Sequence, residues 1–282
     1  MSLGGRAATL ALLAAGAASA QPYPVSPDLK DLMYARNMAM GGAYESLGYG
    51  AEAVGGNPAA ISMFKRYTTE AAGSWDIPQG YGYATLAVLD STGPVAAGIS
   101  YHFATFGGAD RRWAHLTTLA LALPILEFLH IGVAARHHVL VGASNTNSIS
   151  LNAGLAFRPA EWLSIGVSGH NLIPVYNVDI TRYFVASVSS LLFGQLTPAF
   201  DLTVDFNQAA ARLAYHGGLE WLIANTVPVR AGYEYNGITN HQYLGFGLGY
   251  FSSGSGVDLA YRHELGGTGG KLLSLSLKLQ VN

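Results

Sequence analysis

Three short motifs in this chain contain residues that could do chemistry, and in each the spacing argues against it. Ser168 stands in Gly-Val-Ser-Gly-His, which differs from the Gly-x-Ser-x-Gly elbow of serine hydrolases because the second glycine follows the serine directly. His137 and His138 are adjacent in an extended segment, so they point to opposite faces and cannot share a metal ion. The alternating glycines of Gly245–Gly249 lie within a strand-like segment instead of a strand-to-helix phosphate loop. We therefore expect no enzyme activity, no metal site and no cofactor.

Most charged residues instead occupy alternate positions in segments that are otherwise apolar. Residues 271–281 read KLLSLSLKLQV, in which leucines alternate with serine, lysine and glutamine. Residues 229–235 and 257–265 alternate in a similar way. A period of two is typical of a β-strand with one apolar and one polar face. The end of the chain therefore predicts antiparallel strands separated by short turns rich in Gly, Asn and Ser.

The composition indicates where such strands reside. Only 11% of the residues are charged and 50% are hydrophobic, whereas soluble domains carry about 25% charged residues. Beyond residue 20 there is no apolar run of the length that a helix needs to cross a bilayer. These features predict an all-β, transmembrane antiparallel β-barrel of the bacterial outer membrane, with membrane lipids around it.

The beginning of the chain predicts export. Arg6 precedes an apolar stretch from Ala7 to Ala18, and Ala18-Ser19-Ala20 has the small-x-small pattern of a cleavage site. We interpret residues 1–20 as a secretory signal peptide. The formal net charge of −2 gives no indication of a nucleic-acid partner.

Fourteen strand-like segments fit between residues 67 and 281, an even number, as bacterial barrels require. Several of the links between them are tight and contain proline: Pro94, Pro124, Pro159, Pro198 and Pro228. Such links are typical of periplasmic turns. Twelve strands is the alternative, because the first two segments are the least regular. Residues 65–282 would form the barrel, and residues 21–64 a leader and a hatch that lies inside the barrel or across its periplasmic mouth.

The residues before the first strand resemble a known plug. Arg36 is followed by Gly41-Gly42-Ala43 and then by Asn57-Pro58-Ala59, a pattern similar to the N-terminal region of the long-chain fatty acid transporter superfamily (FadL/TodX type) and of its PorV/PorQ relatives. The resemblance implies fourteen strands and a hatch. Its hatch residues here would be Gly41, Gly42, Asn57, Pro58 and Ala59.

With the apolar faces turned to lipid, the polar faces predict a charged network in the lumen. Paired charges would join the wall to itself and to the hatch, or the same groups would form a polar gate or a ligand-contact surface. Glycines at every second position of Gly245–Gly249 would leave room for this network or for the hatch. The network is predicted to contain Arg136, Arg158, Asp201, Asp205, Glu220, Arg230, Glu234, Asp258, Arg262, Glu264 and Lys278.

Two functions follow from the resemblance. The first is passive transport of small hydrophobic, fatty-acid-like molecules across the outer membrane, with an apolar pocket between the hatch and strands three to seven and a lateral opening at Gly73 or Gly98. The alternative is a PorV/PorQ-type barrel that transports nothing and docks or scaffolds a secreted or envelope protein. The loops are short compared with those of the fatty acid transporters, which favours the compact PorV/PorQ branch.

Overall fold

The computed structural model describes residues 34–48, 50–78, 80–106, 112–141, 145–175, 180–205, 212–237, 240–266 and 269–281. The predicted signal peptide, residues 1–20, and the predicted leader up to residue 33 lie outside the described residues. All structural statements below concern the described ranges.

The chain forms fourteen β-strands, as the alternation predicted. In order they are β1 Tyr67–Asp76, β2 Tyr81–Asp90, β3 Ala96–Phe106, β4 Arg112–Leu126, β5 Leu129–Val141, β6 Thr146–Ala160, β7 Leu163–His170, β8 Tyr183–Ser190, β9 Leu196–Asp205, β10 Arg212–Ile223, β11 Val227–Asn236, β12 His241–Ser252, β13 Ser255–Glu264 and β14 Lys271–Val281.

Each strand pairs with its sequence neighbours in antiparallel fashion, and β1 pairs with β14 to close the barrel. The closing seam runs without interruption from Tyr67 opposite Val281 to Asp76 opposite Leu272. The links that follow even-numbered strands are mostly short and define the short-turn end of the barrel. The links that follow odd-numbered strands define the long-loop end.

Several prolines lie in strand ends and not in turns, contrary to the prediction. Pro124 pairs with His130 beside a register shift, Pro159 lies at a register shift in β6, and Pro198 and Pro228 lie near the first residues of β9 and β11. Proline has no backbone N–H to donate, but it is tolerated at a bulge or at the end of a strand. The strands therefore extend further toward the short-turn end than predicted.

The two faces of the wall differ sharply in polarity. Along β14, Leu273, Leu275 and Leu277 are 48%, 44% and 56% exposed on the outside, while Ser274 and Lys278 are buried inside. Exposed leucine, isoleucine, valine and aromatic side chains continue around the other strands. An apolar band around a closed barrel is the surface that a transmembrane barrel presents to lipid.

The residues before β1 fill the interior. This inner segment (residues 34–48 and 50–64) contains two short helices, α1 Ala35–Ala39 and α2 Glu52–Gly55, and a 3₁₀ turn at Pro58–Ser62. Its described residues from 34 to 63 are all buried. No helix in the described part of the chain is long and apolar enough to cross a bilayer.

Candidate functional site

The inner segment lies against glycines of the wall. A Cβ at Gly245 of β12 would overlap the Met38 carbonyl oxygen, and a Cβ at Gly132 of β5 would overlap the backbone between Pro58 and Ala59. Any larger residue at these two positions would force the segment away from the wall. Gly245 and Gly247 thus provide space for the inner segment, whereas Gly249 provides space for the Asp258 carboxylate of the charged network, so both roles expected for these glycines occur.

The five residues predicted for the hatch all lie in the inner segment and inside the barrel. Gly41 and Gly42 have φ of 62° and 81°, in the left-handed region that glycine adopts without steric cost. Asn57 caps the 3₁₀ turn by accepting a hydrogen bond from the Ala59 N–H, and its Nδ2 donates to the Leu155 carbonyl of β6, both at 3.0 Å. Pro58 begins the turn, where no N–H is needed. These residues shape the segment and attach it to the wall.

A group of ion pairs joins the inner segment to the opposite wall. Arg36 donates from Nε and Nη2 to the two carboxylate oxygens of Glu220 on β10, each at 3.0 Å, and from Nη1 to Glu52 at 2.8 Å. Arg230 of β11 bridges Glu220 and Asp258. Because the two guanidinium groups share one carboxylate, the segment and three strands form a single buried network.

Lys278 of β14 extends this network. Its Nζ lies 3.2 Å from Glu70 and 3.7 Å from Glu52. Burial alone would raise the pKa of Glu52, but Lys278 and then Arg36 outweigh it and lower that pKa to about 2. Glu52 is therefore a carboxylate at neutral pH, and it holds α2 between two basic side chains.

Other predicted lumen residues make separate contacts. Arg262 pairs with Glu234 across β12, and its guanidinium lies 3.6 Å from the centre of the Tyr243 ring. Glu264 accepts from the Gly270 N–H at 2.9 Å, close to the long-loop end.

Three wall residues bind the backbone of the inner segment. The Asp201 carboxylate accepts from the Tyr44 and Glu45 N–H groups, each at 3.0 Å. Arg136 donates to the Gly55 carbonyl and to Thr118. His216 Nδ1 lies 3.0 Å from the Gly41 carbonyl oxygen. These contacts complement the ion pairs around Arg36.

Two residues of the predicted list lie apart from this network. Arg158 is at the short-turn end, where it donates to the Glu161 carbonyl at 3.0 Å and covers the Phe64 ring at 4.5 Å. Asp205 is the last residue of β9, at the opposite end, and is buried. Arg158 and Asp205 lie at opposite ends of the lumen because each is close to the end of its strand, and β6 and β9 run in opposite directions.

Sequence reasoning missed the acidic partners on the inner segment and on the first strand. Glu52 belongs to a segment without alternation, so no face could be assigned to it. Glu70 does follow the alternation of β1, on the same face as Thr68 and Ser74, and that pattern was the available signal. Glu45, which meets β7, gave no signal of its own.

A serine, a histidine and a glutamate do meet inside the barrel, but in the wrong order for nucleophilic catalysis. Ser168 Oγ donates to Glu45 and lies 2.9 Å from His170 Nε2. Glu45 contacts the same Nε2, at 3.1 Å, while Nδ1 has no hydrogen-bond partner in the described part of the chain. A catalytic triad needs the acid on the nitrogen that the serine does not use. The cluster therefore attaches the inner segment to β7.

The region where an apolar pocket was predicted is instead a packed core. Val54 and Ile61 of the inner segment contact small side chains of the wall, including Ala120, Ala134 and Ala156. This close packing corrects the prediction of an open pocket between the segment and strands three to seven. The alanines are small because the segment needs the space.

A second apolar surface lies toward the long-loop end of the lumen. It is formed by inward-facing residues of β2 to β5, β13 and β14 that pack against Ala35, Met38 and Ala39 of α1. We refer to it as the apolar patch; its wall residues are Tyr83, Ala104, Ala114, Leu116, Leu140, Ala260 and Leu272.

The wall shows no lateral opening at the two predicted glycines. Gly73 pairs with Ala84 and Leu275, and Gly98 pairs with Leu89 and Ala120, within ladders that have no register shift. A Cβ at Gly98 would meet the Val54 side chain. Gly98 therefore makes space for the inner segment.

The short-turn end has a polar mouth. A cavity of about 290 Å³ opens there and reaches Arg36, Glu220, Arg230 and Lys278. Arg66, Gln195 and Gln280 line its outer part. The ion-pair network thus closes the lumen from this side, while the apolar patch faces the other.

No protein-family model matches the chain, and no curated protein matches it. Solved structures do. The CymD monoaromatic hydrocarbon channel aligns with a TM-score of 0.72 at 12% identity, over 88% of this chain and 97% of that one. The Ralstonia pickettii toluene transporter TbuX gives 0.68 at 13% identity, over 90% and 98%. A Pseudomonas aeruginosa FadL homologue gives 0.65 at 11% identity, over 88% and 98%.

This chain has the FadL/TodX fold. The match covers nearly the full length of each of these three proteins, so the fold predicted from the hatch pattern is confirmed. At these identities the likeness concerns the fold alone.

Proposed function

We propose that this barrel is a passive channel of the bacterial outer membrane for small hydrophobic molecules. The apolar patch is the observation on which the proposal rests, because it gives the long-loop end of the lumen an apolar lining. Channels of the same fold are described as transporters of monoaromatic hydrocarbons or toluene, which supports this substrate class.

An apolar solute gains from such a lining what it would gain in lipid. Burying apolar surface contributes roughly 25 cal/mol per Å², so a small aromatic molecule can bind the patch without any polar partner. The patch contacts α1, and a solute that occupies it has to displace α1. We infer that movement of the inner segment accompanies passage.

The unbroken strand ladders favour a route along the barrel axis. The pairing at Gly73 and Gly98 closes the wall on both sides of β2. A solute would enter at the long-loop end, pass the apolar patch and leave toward the short-turn mouth after the inner segment has moved away from the wall.

Uptake by whole cells tests the proposal, because the lipopolysaccharide leaflet hinders hydrophobic solutes. The barrel is produced in a Gram-negative host without a channel of this fold, and uptake of radiolabelled 1-methylnaphthalene is compared with that of cells carrying an empty vector. We expect faster uptake with the barrel. Equal uptake would contradict transport and would favour the PorV/PorQ-type docking role.

A matched pair of variants locates the route. Ala104→Trp fills the apolar patch, and we expect it to remove most of the added uptake. Leu219→Trp places the same ring on the outer surface, where Leu219 is 43% exposed, and should leave uptake unchanged. Heat-modifiable migration in gels verifies that both variants are folded barrels. Normal uptake by folded Ala104→Trp would contradict the route.

A further inference from the structure

Three uncharged polar side chains lie in the wall of the lumen beside the apolar patch. His138 is on β5, Asn152 is on β6 and Asn171 follows the last residue of β7. They are 3%, 1% and 6% exposed. We call these three residues the polar cluster.

The members of the polar cluster are connected to one another. The Asn171 N–H donates to Asn152 Oδ1 at 3.0 Å, and the Asn171 side chain lies within interaction range of the His138 ring. Asn171 also donates from Nδ2 to the Thr181 carbonyl at 2.8 Å. These contacts hold the two amides in fixed orientations.

Two polar groups of the cluster lack a partner. Within the described residues, Asn152 Nδ2 makes no hydrogen bond, and the His138 ring has only the Asn171 side chain beside it, so at least one of its two nitrogens makes none. A neutral imidazole has one donor and one acceptor, so the cluster offers donors and acceptors together. Buried polar groups are almost always paired in native proteins, by protein, water or ligand. The cluster can therefore bind a group that both donates and accepts hydrogen bonds.

A second lumen histidine differs from His138 in its hydrogen bonding. His102 of β3 and His138 of β5 are the cross-strand neighbours of Leu116 on its two sides. Both ring nitrogens of His102 have partners, Thr85 Oγ1 at 2.9 Å and Ser100 Oγ at 3.0 Å. Of this pair, only His138 has a ring nitrogen without a partner among the described residues.

The polar cluster adjoins apolar surface directly. Leu116 pairs with His138 across β4 and β5, and Leu140 lies two residues further along β5 on the same face. Both leucines belong to the apolar patch. One end of a molecule bound to the apolar patch would therefore reach the polar cluster.

Charge narrows the class of that molecule. The nearest base along β5 is Arg136, and its guanidinium is occupied by the Gly55 carbonyl and Thr118. Along the described part of β5 a carboxylate would find no uncommitted cation, whereas a hydroxyl can donate and accept at once. We propose that the polar cluster binds the hydroxyl group of a neutral apolar molecule, a phenol or an alcohol. This inference rests on the proposed transport function and names its substrate class.

The test compares two solutes that differ in one group. Uptake of radiolabelled 1-naphthol and 1-methylnaphthalene is measured in cells with the barrel, after subtraction of uptake by vector-only cells. We expect the barrel to favour 1-naphthol about tenfold, the effect of one additional net hydrogen bond in a buried site. His138→Leu should lower this preference by about the same factor.

The matched control is the preceding residue. His137 points outward and contacts Asn147 at 2.7 Å, so His137→Leu should keep the preference. A preference that is absent in the unmodified barrel, or that survives in folded His138→Leu, would overturn the proposal and assign the cluster to ordered water. Failure of both solutes to exceed the vector background would instead contradict transport itself.

Discussion

The inner segment is held by two regions of the wall with different chemistry. On one side, Val54 and the Pro58–Ser62 turn pack against alanines of β4 to β6. On the other, Arg36 and Glu52 form ion pairs with Glu220 and Lys278 of β10 and β14.

The difference separates what stabilises the segment from what positions it. Apolar packing contributes free energy in proportion to buried area and has little directional preference. A buried ion pair adds little net stability, because desolvation offsets the attraction, but losing one partner is costly. The apolar side therefore supplies most of the binding energy, and the ionic side determines where the segment ends up.

The strongest test of this comparison removes both attachments. Deleting residues 36–64 empties the lumen while all fourteen strands and their closing seam stay in the chain. We expect a large rise in single-channel conductance in planar bilayers. A truncated barrel that conducts no more ions than the intact protein would contradict the assignment of the segment as a hatch.

Breaking only the ionic side should also have a large effect. Arg36→Leu leaves Glu220 and Glu52 buried with fewer counter-charges, and we expect a loss of about 3–5 kcal/mol. Thermal unfolding in detergent measures the loss. Lys271→Ala, at an exposed position of β14, is the control and should change stability by less than about 0.5 kcal/mol.

Acid should weaken the same side reversibly. The pKa of Glu52 lies at about 2 in the folded barrel, below its ordinary value of 4.5. This carboxylate therefore stabilises the fold above about pH 4.5, and its contribution is lost as the pH falls toward 2. We expect a smaller decrease in unfolding temperature between pH 5 and about pH 2 in Glu52→Gln than in the unmodified protein; an identical decrease would contradict the ion-pair description.

A small change on the apolar side gives the smallest effect. Ile61→Val removes one methylene from a side chain that is 1% exposed, at a cost of about 0.5–1.5 kcal/mol. Because the ion pairs remain, the position of the segment and the ion conductance should not change. Raised conductance in this variant would show that packing, too, determines position.

The strands could be predicted from sequence because each one carries its own evidence. Residues 273–281 alternate strictly because one face meets lipid and the other the lumen, and these two environments extend along the strand. The strand ends were less predictable, as Pro124 and Pro198 show. A proline indicates that one backbone hydrogen bond is missing, but it does not show whether the strand ends there or continues.

The lumen was only partly predictable. Inward-facing charges such as Arg230 and Asp258 follow from alternation, but their partners do not, since Arg36 and Glu220 are 184 positions apart in the chain. The inner segment has no repeating pattern, so nothing local indicated that Glu52 or Glu45 would meet the wall. The polar cluster could not be predicted from the sequence either, because its distinguishing feature is the absence of hydrogen-bond partners, which only the folded structure shows.

The seam between β1 and β14 has a consequence for biogenesis. The inner segment precedes β1, and the seam joins Tyr67 to Val281, so the cylinder cannot shut until the final strand has been synthesised and delivered. The inner segment fits closely against the interior glycines and alanines, so it could not enter the barrel after closure. The segment must therefore lie against the open sheet before β1 pairs with β14, and the barrel then closes around it.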